Sequence, residues 1–321
     1  MSGEIAVLVI GYQRLDNLIK ILDIIKRNNI RRIYISIDAP KENDLTGVAI
    51  NRSMKEYVDS FQENFDGEIA VFFRKMNRGC AASVISSCNW VFSHEKFAIV
   101  LEDDCIPSDG FFQHVERNLK NFSDSPKNVM ISGTQLAPQS LTKKQSILSV
   151  YPMIWGWATS NDKWTDLIKS FELEDSSWPS VKTISRAERI FWDAGFRRAR
   201  DGYIDVWDIV IARFMRQNSL FSILPPVSYI SNIGNDQFAT HTFNSSPFLF
   251  QNAESFVDDK SVLIESLHVD AWIRDNVYGI NWINIFSTRV TRLLDLFRAK
   301  PFKKLSDRVK LANNDFNQLE Q

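Results

Sequence analysis

Phe97-Ala-Ile-Val-Leu-Glu-Asp-Asp-Cys-Ile-Pro107 is the stretch on which the organisation of this chain turns. Its first five residues, Phe97 to Leu101, are apolar without a break, as in a short strand buried on both faces. Three carboxylates follow at once, Glu102, Asp103 and Asp104, and Pro107 then turns the chain. Adjacent acids repel one another and are costly at the end of a hydrophobic strand, so the arrangement calls for a cation. Oxygen-only ligands suit Mg²⁺ or Mn²⁺, typically shared with a phosphate group. The bland alternative is a solvated acidic turn, the fate of most charge clusters.

The sequence on either side weighs against the bland alternative. Upstream, Ile5-Ala-Val-Leu-Val-Ile10 has the continuous hydrophobicity of a parallel strand. The turn Gly11-Tyr12-Gln13-Arg14 follows, and then Leu15, Leu18, Ile19, Leu22 and Ile25 at helical spacing, with Asp16 as the expected cap. A second strand is predicted over 33–37, ending in Asp38; a polar helix over 52–65; and a third strand over 69–73. The turn Arg74-Lys-Met-Asn-Arg-Gly79 and a helix over 81–92 lead to the acidic stretch. Downstream, a helix over 111–122 and a strand over 129–132 continue the alternation. Such an order predicts an α/β fold, a mainly parallel sheet with helices on both faces. Ligands in that architecture bind beyond the carboxyl ends of the strands. Asp38, the turn over 74–79 and the triplet Glu102 to Asp104 all fall on that rim.

Composition narrows the function classes. A net charge of −1 gives no field to steer the chain toward nucleic acid. Nine Trp and 23 Phe are a high aromatic load, which serves either a wide pocket for flat ligand faces or plain core. Three cysteines, Cys80, Cys88 and Cys105, lack metal-ligand spacing, so reduced thiols in a cytoplasmic protein are expected. No apolar run has the length of a signal peptide or a membrane span. Beyond residue 135 the pattern is less regular. Tyr151-Pro-Met-Ile-Trp-Gly-Trp-Ala-Thr159 is aromatic, Asp205-Val-Trp-Asp208 opens a helix, and a strand is predicted over 221–224. A polar loop carries Asn232-Ile-Gly234, Asp236 and Ala239-Thr-His241-Thr242.

At these residues the sequence resembles the GT-A nucleotide-sugar glycosyltransferases, and among them the bacterial branch related to the N-acetylglucosaminyltransferase I type. The segments that carry the resemblance are Ile35-Ser-Ile-Asp38, Asn77-Arg-Gly79, Leu101-Glu-Asp-Asp-Cys105, Trp155-Gly-Trp-Ala-Thr159, Trp207-Asp208, and Asn232-Ile-Gly234 with Ala239-Thr-His241. The resemblance implies a Rossmann-like GT-A domain over 1–250, with a nucleotide-sugar half over 1–135 and an acceptor half over 136–250. It implies Asp104 as the ligand of Mn²⁺ or Mg²⁺ against the donor diphosphate, Asp103 near the ribose and Glu102 toward the sugar. Asp38, Arg14 and Arg78 would contact the nucleotide, and His241 would reach the metal when its loop closes. The general base would be Asp208, with Asp205 as its rival. Asp208 can alternatively cap the helix that follows. Ile209 and Val210 depart from the family, which usually has an aromatic soon after the base.

The expected activity is metal-dependent, inverting transfer from a nucleotide-diphosphate sugar, such as a UDP-sugar, to a hydroxyl of a glycan or lipid-linked glycan in surface polysaccharide synthesis. A sugar nucleotidyltransferase is the enzymatic alternative, although Gly11-Tyr-Gln-Arg14 offers one glycine where those enzymes usually carry a glycine-rich loop. A catalytically inactive glycan-binding relative is the non-enzymatic one. The last segment, 251–321, is expected to be a helical extension. Within 283–310 an apolar stripe (Ile283, Phe286, Val290, Leu293, Leu294, Phe297) accompanies a run of Arg and Lys. Such a helix can lie peripherally on the inner face of the plasma membrane, pack on the catalytic domain, or form a homodimer contact.

Overall fold

The runs over 5–10 and 97–101 are apolar without a break because helices cover both faces of their sheet. The protein, seen in a computed structural model, is described over residues 5–169, 178, 184–234, 253–258, 263–280, 284, 291, 294–295 and 299–317. Strands β1 (Ala6–Gly11), β2 (Arg32–Ile37), β3 (Glu68–Phe73) and β4 (Phe97–Glu102) are parallel and lie in the order β3-β2-β1-β4. Helices α1 (Leu15–Arg27), α2 (Leu45–Glu63) and α3 (Cys80–His94) connect them. Alternate residues of one strand enter different cores. Val7 and Val9 of β1 pack with Leu18 and Leu22 of α1, whereas Ala6, Leu8 and Ile10 pack with Val84, Ile85 and Cys88 of α3. The expected α/β sheet with helices on both faces is therefore present.

After the acids come β5 (Cys105–Pro107), α4 (Asp109–Ser123) and β6 (Asn128–Ser132). Then follow α5 (Gln139–Thr142), β7 (Ile147–Ser149), β8 (Trp157–Ser160) and α6 (Asn161–Lys169). The second half adds α7 (Arg186–Arg200), α8 (Asp208–Asn218), β9 (Phe221–Leu224) and β10 (Ile230–Asn232). Last come β11 (Ile264–Glu265), α9 (Leu267–Trp272) and a C-terminal helix, Leu305–Asn317. The nine-stranded sheet runs β11-β7-β9-β6-β8-β4-β1-β2-β3, and β5 pairs separately with β10. Strands from 136–250 and from 251–321 thus join the sheet begun by 1–135.

Three details differ from the sequence reading. β6 does not pair with β4: the aromatic segment around Trp157 forms β8, antiparallel to both, and lies between them. Burial explains it, because Trp157, Ala158 and Thr159 are all interior. Asp16 lies inside the first turn of α1, since Leu18 N bonds to Arg14 O and the cap position falls at Arg14, two residues earlier. α2 begins at Leu45, seven residues ahead of expectation, because the Asp44 side chain accepts from Gly47 N at 2.8 Å and caps it.

Of the C-terminal segment, the helix Leu305–Asn317 packs on the sheet domain, whereas Leu294 of the expected apolar stripe is exposed. Leu305 and Ala312 are buried, and the Phe316 ring lies 4.3 Å from Phe72 and 5.1 Å from Trp90. Full burial of a Leu or Phe side chain is worth about 2 kcal/mol. Asp315 of the same helix pairs with Arg74 at 3.2 Å and with Arg78. The apolar residues Ile283, Phe286, Val290, Leu293 and Phe297 lie outside the described residues. Among the described residues, no helix is long and apolar enough to cross a membrane.

Candidate active site

The site is built where β1, β2 and β4 stop. Asp38 N donates to Gly11 O at 2.9 Å, holding the ends of β1 and β2 together. The Asp38 carboxylate, 4% exposed, turns inward. Its Oδ1 accepts from Ala39 N at 3.0 Å and Arg78 N at 3.1 Å, and its Oδ2 from Gly79 N at 3.1 Å. Asn77 Nδ2 adds a bond at 3.3 Å. Asp38 therefore fixes the turn that launches α3. Burial pushes its pKa up to about 6, against the amide of Arg78 and the charge of Arg74.

Gly79 begins that helix with φ at +78°, in the left-handed region. A Cβ there would stand 2.5 Å from Asp205 Oδ2, so the glycine also admits Asp205 to the helix terminus. Asp205 accepts from Cys80 N at 2.9 Å and Ala81 N at 3.2 Å, and it pairs with Arg308 of the C-terminal helix. An anion at this position satisfies free amides and the helix dipole together.

The three acids at the end of β4 differ in their surroundings. Asp103 is turned inward, with Oδ2 accepting from Tyr12 N at 2.7 Å and Oδ1 from Arg14 Nη1 at 2.8 Å. Burial pushes it up to about 6, opposed by the Arg14 charge. Glu102 lies beside Ile10 in the sheet register. Burial, then the charges of Asp104, Asp103 and Asp208, push its pKa well above the ordinary carboxylate range. Asp104 keeps more access than Asp103, 26% of its side chain, with Oδ2 3.9 Å from Arg14 Nη1. Ile233 N donates to Asp104 O at 2.9 Å, which brings the Asn232-Ile-Gly234 loop alongside. A Cβ on Gly234 would collide with Asp104 Oδ2, so the glycine keeps a space open beside that carboxylate.

These groups face a cavity of about 950 Å³. Glu102, Asp103, Asp104, Asp205 and Asp208 lie on its wall, against Arg14 and Lys41 as basic residues. Asp208 is the first residue of α8 and Trp207 stands at the cap position. Arg14, Asp38, Glu102, Asp103, Asp104, Asp205 and Asp208 thus line one cavity. Arg78 is placed differently: its guanidinium pairs with Asp315, Nε donating at 2.8 Å. His241 and Asp236 lie outside the described residues. The two indoles of the aromatic segment divide, Trp157 going into the core against Trp164 and Trp207, and Trp155 onto the cavity wall. Sequence reasoning missed Thr134, Tyr278 and Phe302, which also line the cavity. Tyr278 Oη donates to Pro152 O at 3.1 Å, and burial with the Asp208 charge raises its pKa.

No group of three or more His, Cys, Asp or Glu side chains among the described residues is arranged as a metal cage. Asp104, with the space kept by Gly234 and Glu102 nearby, fits instead a Mg²⁺- or Mn²⁺-type ion whose other oxygens come from substrate phosphates and water.

Fold and site define an α/β protein with an acidic cleft at the carboxyl rim of its parallel strands. Comparison with protein families finds no match, and no curated protein matches. Among solved structures, the chain is similar to a 4-diphosphocytidyl-2C-methyl-D-erythritol synthase from Anaerococcus prevotii, at 12% identity and a TM-score of 0.34, over 55% of this chain and 80% of that one. It is also similar to HddC from Yersinia pseudotuberculosis, at 12% identity and a TM-score of 0.30, over 49% and 77% of the two chains. The same protein complexed with GMP-PN matches at 10% identity, with the same TM-score and shares. At these TM-scores the likeness supports no inference about function.

Proposed function

We propose that this chain is a metal-dependent, inverting glycosyltransferase that moves a sugar from a nucleotide-diphosphate sugar to a glycan hydroxyl. The observation that carries the reading is the cavity wall, where Asp104 stands open beside Glu102 while Asp208 faces the same space. A diphosphate entering among these carboxylates would be repelled unless a divalent cation came with it. Asp104 would hold that ion, which would stabilise charge on the departing nucleotide. Arg14, braced by Asp103, would meet phosphate. Asp208 would take the proton of the acceptor hydroxyl as its oxygen bonds to the anomeric carbon. The carbon–oxygen bond to the diphosphate breaks, and its electron pair leaves on the nucleoside diphosphate. Asp205 serves the α3 terminus and Arg308, and Asp208, the first residue of α8 on the cavity wall, is the proposed base.

A sugar nucleotidyltransferase is the second reading. The single glycine of Gly11-Tyr-Gln-Arg14 speaks against it. A thermal-shift screen separates the two, because only ligands of the native state raise the midpoint. The transferase reading expects stabilisation by UDP-sugars with Mn²⁺, abolished in Asp104→Ala. Stabilisation by nucleoside triphosphates and sugar 1-phosphates instead would overturn it. With donor and acceptor in hand, Asp208→Asn should keep donor binding and lose about 10²-fold or more in transfer.

A further inference from the structure

The C-terminal segment reaches the cavity with an aromatic side chain. Phe302 is 39% exposed although it lines the cavity together with Asp205, Trp207 and Asp208. Ligand pockets are lined largely by apolar and aromatic side chains with a few polar groups among them, so an aromatic ring open to this acidic cavity offers a face for a ligand to cover. Its placement is built by several contacts. Phe302 N donates to Gly202 O at 3.1 Å, tying it to the turn that precedes Asp205. Gly202 has φ at +85°, and a Cβ there would collide with the Phe302 carbonyl. The Arg308 guanidinium lies 5.2 Å from the Phe302 ring centroid while pairing with Asp205. The ring is thus fixed to the segment 202–208 that carries the proposed base, not to Arg14 and Asp104, where a diphosphate would sit.

We infer that Phe302 is a specificity-determining platform on which the apolar C–H face of the acceptor's sugar ring stacks. The assignment rests on the transferase reading for the word acceptor. One face of a pyranose presents several C–H bonds with little polar surface, and the π-face of a phenyl ring is electron-rich, so the two are complementary. The hydroxyls on the ring edge then stay free to reach Asp208.

Ligand-observed saturation-transfer NMR with methyl β-glycosides of glucose, galactose and N-acetylglucosamine tests it, beside calorimetry with UDP and Mn²⁺. Wild-type protein should take up at least one glycoside, with transfer to its ring C–H protons. Phe302→Ala should weaken that binding by about tenfold or more, as loss of one stacked ring should. Phe302→Tyr, which keeps the ring, should stay within about twofold, and all three proteins should bind UDP and Mn²⁺ alike. Glycoside binding that survives Phe302→Ala, or is absent from the wild type, overturns the platform. An equal loss of UDP affinity also overturns it, by moving Phe302 to the donor side. If UDP and Mn²⁺ fail to bind at all while glycoside binding depends on Phe302, the transferase reading falls and the sugar platform stands.

Discussion

Raising the pH from about 5 to about 7 should weaken the folded state of the ligand-free protein. Asp38, Asp103 and Asp270 all have pKa values pushed by burial from 3.8 to about 6. In the unfolded chain they titrate near 3.8, so between the two values the folded state holds their protons more tightly. The stability this confers is fully present below about pH 4 and is lost as pH rises through about 6. Across the window from about 5 to about 7, each group should cost on the order of 1 kcal/mol, or a few kcal/mol for three acting independently. Asp44, Asp109 and Asp201 are held below the ordinary range, so their contribution is lost only in stronger acid and does not offset this slope. Urea unfolding at a series of pH values measures the difference directly. Asp270, which accepts from Ser149 Oγ at 2.6 Å, is not among the residues lining the cavity, so Asp270→Asn should remove about a third of the slope. An unfolding free energy that stays level or rises over this window would refute the reasoning, because desolvation would then not dominate these carboxylates.

Asp315→Ala should cost about 3 kcal/mol, because the Arg74 side chain is 0% exposed and loses its ion pair; a loss below about 1 kcal/mol in urea unfolding would mean that Ser86 and Asp38 suffice for it. Glu188→Ala should be comparably severe, about 3–5 kcal/mol, since Glu188 meets Arg216 at 2.5 Å, Tyr151 at 2.9 Å and Trp192 at 3.3 Å in the interior. Its unfolding midpoint reports this, and an unchanged midpoint counts against the network. Gly234→Ala should crowd Asp104 and reduce Mn²⁺-dependent UDP affinity by about tenfold or more while leaving the urea midpoint in place; calorimetry showing normal affinity would mean that the open space is not used.

The carboxyl rim was legible in the sequence because parallel strands declare themselves as apolar runs, and the polar residues that end them must share an edge. Asp38, Asp103 and Asp104 could be placed that way without knowing any contact. Their orientations could not. Whether an acid faces a cavity or a backbone amide depends on the turn that follows, and Asp38 and Asp103 both turn inward. β8 was hidden because an aromatic segment with a glycine has neither strand alternation nor helical period. Arg78 was expected at the nucleotide because its partner, Asp315, comes from a helix whose docking left no local signal. Phe302 and Tyr278 were missed for the same reason.

The pairing of Arg74 with Asp315 also sets a clock. The two residues are 241 positions apart. A ribosome adding about 5–20 residues per second delivers the second roughly ten to fifty seconds after the first. During that interval the N-terminal strands and helices can assemble, but the arginine that supports the turn after β3 has not yet met its Asp315 partner. The cleft therefore takes its final form only after synthesis reaches the C-terminal helix, and the nascent protein passes through a period in which the carboxyl rim of its sheet can fold but is still unbraced.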